Sequence, residues 1–170
     1  MGNLSVTSLK PESIVSGFSC GNDNIDNILK NYASILLSQG KANTNLFFLD
    51  GQLVGFCTLL ADRISKSNTR VFLQGEFPTY YPAVQLYSIG VQKEYQKVGI
   101  GSQILEWVIA NTYLVRKQIG ISFIVLEAYK EEKLLNFYEN NGFSKWAYLE
   151  GNDTELVPMV YDFRGLDGII

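Results

Sequence analysis

The run Gln96-Lys97-Val98-Gly99-Ile100-Gly101, continued by Ser102, has the residue types and spacing of an anion-binding turn. It lies between an apolar segment, Leu86 to Val91, and an amphipathic one, Ser102 to Val115. That context is strand, tight turn, helix. Glycines let the backbone approach a ligand because no side chain stands in the way. The amides of the turn and of the first helical residues lack internal acceptors and sit at the positive end of the helix dipole, where phosphate binds. The run lacks the three spaced glycines of a Rossmann fingerprint and the Gly-Lys-Ser/Thr ending of a P-loop. A plain helix start is the other reading of the same residues.

A second candidate is Tyr138, in the segment Leu134-Leu135-Asn136-Phe137-Tyr138-Glu139-Asn140-Asn141-Gly142-Phe143. A phenol with a pKa near 10 keeps its proton at neutral pH and can donate it to a leaving group. A packed core tyrosine with its hydroxyl on a backbone carbonyl is the alternative. The chain contains no histidine, which removes the usual general base, Ser-His hydrolysis and most zinc sites. Proton transfer falls to Glu, Asp, Tyr, Lys, Cys, a terminus or water. Glu94 and Glu127 are candidate bases that read first as solvated or ion-paired, and Tyr87 could line an acceptor pocket. Lys93, Lys97 and Lys130 could meet a phosphate, although a solvated lysine is the default. Cys20 and Cys57 lack metal-ligand spacing and read as reduced thiols in a cytoplasmic protein, and no metal site is expected.

These groups need a scaffold. Leu4 to Leu9 reads as a strand. Asn22 is a plausible N-cap for a helix with Ile25, Ile28, Leu29, Tyr32, Ile35 and Leu36 at helical spacing, ended by Gly40. Leu46 to Leu49 and Leu53 to Leu60 form a hairpin through Asp50-Gly51. Asp62 to Pro82 is irregular, with a short strand at Val71 to Leu73 and an aromatic stretch from Phe77 to Tyr81. Val84 to Val91 is a strand, and the helix after the turn packs through Ile104, Leu105, Val108, Ile109 and Thr112. Ile121 to Ala128 is a strand and Glu132 to Asn140 a helix stopped at Gly142. Phe143 to Leu149 and Leu156 to Phe163, joined across Asn152-Asp153, close as an antiparallel pair. The order is β-α-β-β-β-α-β-α-β-β, a mixed α/β domain.

At 170 residues the chain is expected to form one domain, residues 1–170. No apolar run approaches a membrane span, and Met1 to Ser8 lack the basic start and apolar stretch of a secretory signal. A net charge of −3 argues against a nucleic-acid protein, which normally shows a basic face.

The turn resembles the pyrophosphate loop of the GNAT superfamily of acyl-CoA N-acyltransferases, whose pattern of Gln or Arg, two residues, Gly, one residue, Gly or Ala is met by Gln96, Gly99 and Gly101. The block from Leu134 to Phe143 resembles that family's terminal helix and turn, about 40 residues further on. Phe18-Ser19-Cys20-Gly21-Asn22, followed by Ile25-Asp26, Leu29 and Ala33, resembles the N-terminal signature of a bacterial subgroup that includes the acetyltransferase toxins of toxin–antitoxin pairs. Tyr81-Pro82-Ala83-Val84 is similar to the same subgroup. The resemblance implies a single-domain GNAT fold with a mixed, mostly antiparallel central sheet, splayed at the cofactor site and flanked by helices. It implies that acetyl-CoA binds with its pyrophosphate on the backbone of Gln96, Lys97, Val98, Gly99, Ile100, Gly101 and Ser102. Its pantetheine arm would pair with the backbone of Ile89, Gly90 and Val91. Gly90 reads as a close approach or a bulge. Tyr138 would be the catalytic acid.

The chain departs from the subgroup in places. Ser88 stands where the toxins usually carry an arginine, the chain has only four arginines, and Glu131 stands where the superfamily often has an asparagine. The expected function is an acetyl-CoA-dependent N-acetyltransferase, cytoplasmic and compatible with a homodimer, acting by direct transfer on a primary amine of a small molecule or protein. Two alternatives are a toxin-like enzyme acting on aminoacyl-tRNA and a catalytically silent acyl-CoA-binding domain that works through protein partners.

Overall fold

A computed structural model describes residues 4–65, 80–146, 155–164 and 166. The elements follow in the order β1 (Leu4–Ser8), α1 (Asp23–Asn27), a π turn (Ile28–Tyr32), α2 (Ala33–Ser38), β2 (Asn43–Leu49), β3 (Gln52–Ser65), β4 (Tyr80–Val91), α3 (Ile100–Arg116), β5 (Phe123–Tyr129), α4 (Glu132–Asn140), β6 (Ser144–Lys145) and β7 (Leu156–Asp162). The strands form one mixed, mostly antiparallel sheet in the order β1-β2-β3-β4-β5-β7-β6. Element types and order agree with the sequence reading. The expected strand at Val71 to Leu73, the start of the aromatic stretch at Phe77 and Pro78, and the turn at Asn152-Asp153 lie outside the described residues. The residues divide into two compact units, one ending at Leu60 and resuming over Leu86–Val108, the other comprising Ala61–Gln85 and the chain from Ile109.

In the first unit, β1 pairs with β2 from Leu4↔Leu49 to Ser8↔Asn45, and the Asp50-Gly51 turn sets Leu49 opposite Gln52 in the β2–β3 hairpin. Alternation puts Leu46 and Phe56 on one face, where they meet Leu9, Phe18, Leu29 and Ala33. Full burial of side chains of this size is worth about 1.5–3 kcal/mol each for the larger ones. Asn22 caps α1 by accepting from the amides of Asn24 and Ile25. The regular apolar stripe expected along this helix is interrupted. The Ala33 amide bonds the Ile28 carbonyl five residues back, so the turn is wide and the register slips. Leu29 and Ala33 face the core, while Tyr32 and Ile35 are turned out and about half exposed, at 50% and 48%.

In the second unit, β5 and β7 pair antiparallel from Phe123↔Asp162 to Tyr129↔Leu156, and β6 adds to β7 at Ser144↔Val160. The start of β4 joins β5 in parallel over Ala83–Gln85 and Phe123–Val125. This strand begins at Tyr80 rather than Val84, because Tyr80 and Tyr81 suit a pleated surface and Pro82 still offers its carbonyl, which accepts the Ser122 amide. Ala83, Phe123 and Val160 form a core with Ile64, Tyr81, Val125 and Trp146 against it. The Arg164 guanidinium lies over the rings of Phe123 and Tyr81, at 4.6 and 5.3 Å, and is held by Asp162 at 2.8 Å.

The end of α4 explains the Tyr-x-x-x-Gly-Phe spacing. The Phe143 amide bonds the Tyr138 carbonyl at 3.1 Å and the Gly142 amide bonds the Glu139 carbonyl at 3.0 Å, a Schellman closure around Gly142 at φ +89°. A Cβ at Gly142 would also stand 2.9 Å from the Tyr161 ring. Gly142→Ala is therefore expected to destabilise the fold by roughly 2 kcal/mol, from left-handed strain plus overpacking. A thermal melt that matches the wild type would show that the turn relaxes freely.

Candidate active site

The first unit builds the phosphate-type turn. After β4, a short 3₁₀ turn (Lys93–Tyr95) leads to Gln96 in extended conformation, Lys97 at φ +64° and Gly99 at φ +91°, and α3 begins at Ile100. The Gln96 amide is taken by the Lys93 carbonyl at 3.4 Å. The first internal bond of the helix runs from the Gln103 amide to the Gly99 carbonyl at 3.1 Å. Between these, the amides of Lys97 to Ser102 have no backbone acceptor among the described residues. Val98 is 60% exposed, and a Cβ on Gly99 would meet nothing within 4 Å. The turn thus borders open space around Val98 and Gly99 at a helix N-terminus.

Gln96 points its side chain inward, a role its motif position did not reveal. Its Nε2 donates to the Cys20 carbonyl at 2.7 Å and to the Val91 carbonyl at 3.0 Å. The Ser19 amide donates to Gln92 Oε1 at 2.8 Å, and the Lys93 amide donates to the Ser19 carbonyl at 2.9 Å. The Ser19-Cys20-Gly21 turn is therefore clasped to the phosphate-type turn. Asp26, nearly buried at 7% exposure, holds the clasp from below: one carboxylate oxygen accepts the Ser19 hydroxyl and the other the Cys20 amide, both at 2.8 Å. Burial works to raise the Asp26 pKa. The hydrogen bonds from Cys20 and Ser19, with Lys30 nearby, outweigh it and hold the carboxyl below its usual value. Sequence reasoning placed Asp26 only within a signature. An acidic residue in the first turn of a helix ordinarily reads as a surface complement to the dipole.

Within this unit the stretch Leu86–Val91 is the last strand of the sheet. Gly90 is a close approach, since a Cβ there would lie 2.6 Å from the Phe56 ring and 3.1 Å from Ile25. Its bareness seats α1 on the strand. Ile89 and Val91 are half-buried, and Tyr87 is 46% exposed. Ser88 is buried, and its Oγ has no hydrogen-bond partner among the described residues. Glu94, Lys93 and Lys97 are exposed. Cys20 and Cys57 are free thiols. Burial, reinforced by Asp26, pushes Cys20 up to about 11, and burial pushes Cys57 up to about 12, so neither is a thiolate nucleophile at neutral pH.

The second unit holds Tyr138 on α4. The residue is buried, with its ring edge-on to Phe137 and Phe143 at 5.2 and 5.8 Å. Its hydroxyl bonds no described residue. Burial alone pushes its pKa up to about 12. Glu127, Lys130 and Glu131 are exposed. Among the described residues no group of acidic or cysteine side chains could hold a metal, and no helix is long and apolar enough to cross a membrane.

Residues 42–145, well over half of the chain, match the model of the Acetyltransferase (GNAT) domain, and the chain belongs to that family. The match spans both the turn and the Tyr138 block. The chain is also 25% identical over 118 residues to the tRNA-acetylating toxin of Mycobacterium tuberculosis (strain ATCC 25618 / H37Rv), covering 69% of this chain and 71% of the toxin. The fold is that of solved bacterial toxins. AtaT complexed with acetyl-methionyl-tRNAfMet superposes with a TM-score of 0.78 at 15% identity, covering 97% of this chain and 98% of AtaT. AtaTR bound with AcCoA superposes with a TM-score of 0.76 at 18% identity, covering 93% and 94%.

Proposed function

We propose that this chain is an acetyl-CoA-dependent N-acetyltransferase whose acceptor is the α-amino group of an aminoacyl-tRNA. The sequence similarity to the tRNA-acetylating toxin carries this reading. It prefers the toxin-like alternative over the small-molecule or protein amine first expected.

The residues present fit acetyl-CoA. Six successive amides from Lys97 to Ser102 without backbone acceptors, opening into space around Gly99, suit a pyrophosphate. Lys97 adds an exposed positive charge beside them. The backbone of Ile89, Gly90 and Val91 offers strand-type donors and acceptors to an amide-bearing arm. Acetyl-CoA supplies the activated acyl group as a thioester. The chain's own contributions are to bind and orient that group and to keep a proton on Tyr138 Oη, from which a hydrogen bond can be donated to a departing sulfur.

The exposure of the candidate bases helps choose the acceptor. The candidate carboxylates Glu94 and Glu127 are both exposed, and histidine is absent from the chain. An α-amino group with a pKa of about 8 is neutral in roughly one molecule in ten at pH 7, whereas a lysine amine is neutral in roughly one in a few thousand. With both candidate bases exposed, an α-amine is the easier nucleophile, and water can take its proton. Such a reaction belongs in the cytoplasm, where charged tRNAs and acetyl-CoA are found.

A second reading, a small or peptidic amine, is favoured by the net charge of −3 and by Ser88 in place of arginine, since polyanions are usually held by Lys/Arg contacts. The two part on one experiment. Induced expression should arrest growth, and charged tRNAs from the arrested cells should carry N-acetylated aminoacyl groups by mass spectrometry. Normal growth with unmodified charged tRNA, alongside acetylation of a peptide or polyamine panel by the purified protein, would establish the second reading.

A further inference from the structure

We infer that Asp26 is a positioning residue for the phosphate-type turn, acting through the Ser19-Cys20-Gly21 clasp on Gln96. The inference rests on the proposed role of that turn in holding a pyrophosphate.

The turn cannot hold its own shape. Its amides from Lys97 to Ser102 make no backbone bonds among the described residues, and Lys97, a non-glycine residue, sits at φ +64°. A segment so poor in internal bonds loses conformational entropy on ordering and must be fixed from outside. The fixing point is Gln96, immediately before it, whose Nε2 spans the Cys20 and Val91 carbonyls. The Val91 carbonyl belongs to a strand and is rigid. The Cys20 carbonyl belongs to an irregular turn, so its position depends on what holds Cys20.

Asp26 is that holder. One oxygen takes the Cys20 amide and the other the Ser19 hydroxyl, while Gln92 and Lys93 take the backbone of Ser19 from the other side. A carboxylate this buried is tolerated only when hydrogen-bonded, and both oxygens are. Removing it would leave the Ser19 hydroxyl and the Cys20 amide unpaired and free the carbonyl that orients Gln96. The two links, Asp26 to the Cys20 amide and the Cys20 carbonyl to the Gln96 side chain, run in series and leave the Gln96 backbone free for a ligand.

The test is a mutant cycle read by calorimetric binding of coenzyme A at 10 °C, well below unfolding. Asp26→Ala should weaken binding about tenfold or more. Asp26→Asn, which can still accept the Cys20 amide, should recover part of the loss. Gln96→Leu should weaken binding to a similar degree, and the double variant should lose little more than the worse single one, because both break the same clasp. Amide exchange should quicken over 96–102 in Asp26→Ala and not across the β2–β3 hairpin. If Asp26→Ala does not fold, Ser19→Ala takes its place in the cycle. An unchanged affinity despite a lowered melting temperature, or losses that multiply in the double variant, would overturn the inference and leave Asp26 a stabiliser of α1. Gly99→Asp separates this from failure of the underlying reading. If Gly99→Asp abolishes binding while Asp26→Ala does not, only the inference falls; if Gly99→Asp binds normally, the turn assignment falls with it.

Discussion

Gly99→Asp is expected to lose coenzyme A binding by at least 10²-fold while the protein remains folded. The position separates ligand effects from packing effects. A Cβ at residue 99 would meet no protein atom within 4 Å, so the variant creates no clash inside the chain. The cost to the fold is the left-handed backbone at φ +91°, about 1–2 kcal/mol for a residue with a Cβ. The cost to the ligand is larger. At an effective dielectric near 20, a carboxylate about 5 Å from one phosphate charge loses roughly 3 kcal/mol, and a pyrophosphate carries two such charges. Gly99→Asn is the control, since asparagine tolerates the left-handed region and adds no charge. It should retain more affinity than Asp, and the gap should narrow as salt is raised. Titration calorimetry on both variants reads this directly. Wild-type affinity for Gly99→Asp would place the pyrophosphate elsewhere.

Local signals carried most of the fold into the sequence. The Asn22 cap, the Asp50-Gly51 hairpin and the Gly142 stop each work through atoms within a few residues, and each appears where its chemistry requires. The turn from Gln96 to Ser102 was legible for the same reason, because a glycine pair before an amphipathic helix states its own geometry. What stayed hidden depends on contacts across the chain. Nothing in Ile28 to Tyr32 announces a π turn; it arises as Leu29 and Ala33 both reach the core, and it exposes Tyr32 and Ile35. The inward Gln96 side chain depends on Cys20, 76 residues earlier. Gly90 reads as a bulge or a ligand contact until Phe56 and Ile25 are seen against it. Net charge also shaped the acceptor expected from the sequence, whereas the similarity to the tRNA-acetylating toxin favours the toxin-like alternative. Net charge describes a whole surface, whereas recognition uses a few groups, and a total of −3 does not say where the 14 basic residues stand.

Tyr138→Phe is expected to lower turnover by on the order of 10²-fold with little change in coenzyme A affinity, the size of effect a positioned acid contributes. The hydroxyl has the properties of a donor held in reserve. It bonds no described residue, and burial pushes its pKa up to about 12, so the proton stays on Oη throughout the working range. A phenol this weak as an acid acts chiefly by hydrogen-bonding the departing sulfur, because full transfer to a thiolate of pKa about 8.5 would run uphill. Two consequences follow from the raised pKa, and the turnover comparison separates the role from packing. The wild-type rate should show no descending limb from Tyr138 up to pH 10. The folded phenol also titrates above the unfolded one at 10.0, so its contribution to stability is intact below pH 10 and is lost as pH rises toward 12. Tyr138→Phe should remove that alkaline loss. At neutral pH the variant should be as stable as the wild type or slightly more so, since removing a hydroxyl that lacks a partner among the described residues sacrifices none of their hydrogen bonds. A thermal melt and a pH–rate profile on the same two proteins decide the matter. Equal turnover from pH 6 to 9 would show that the hydroxyl takes no part in the chemistry and that the ring alone is required.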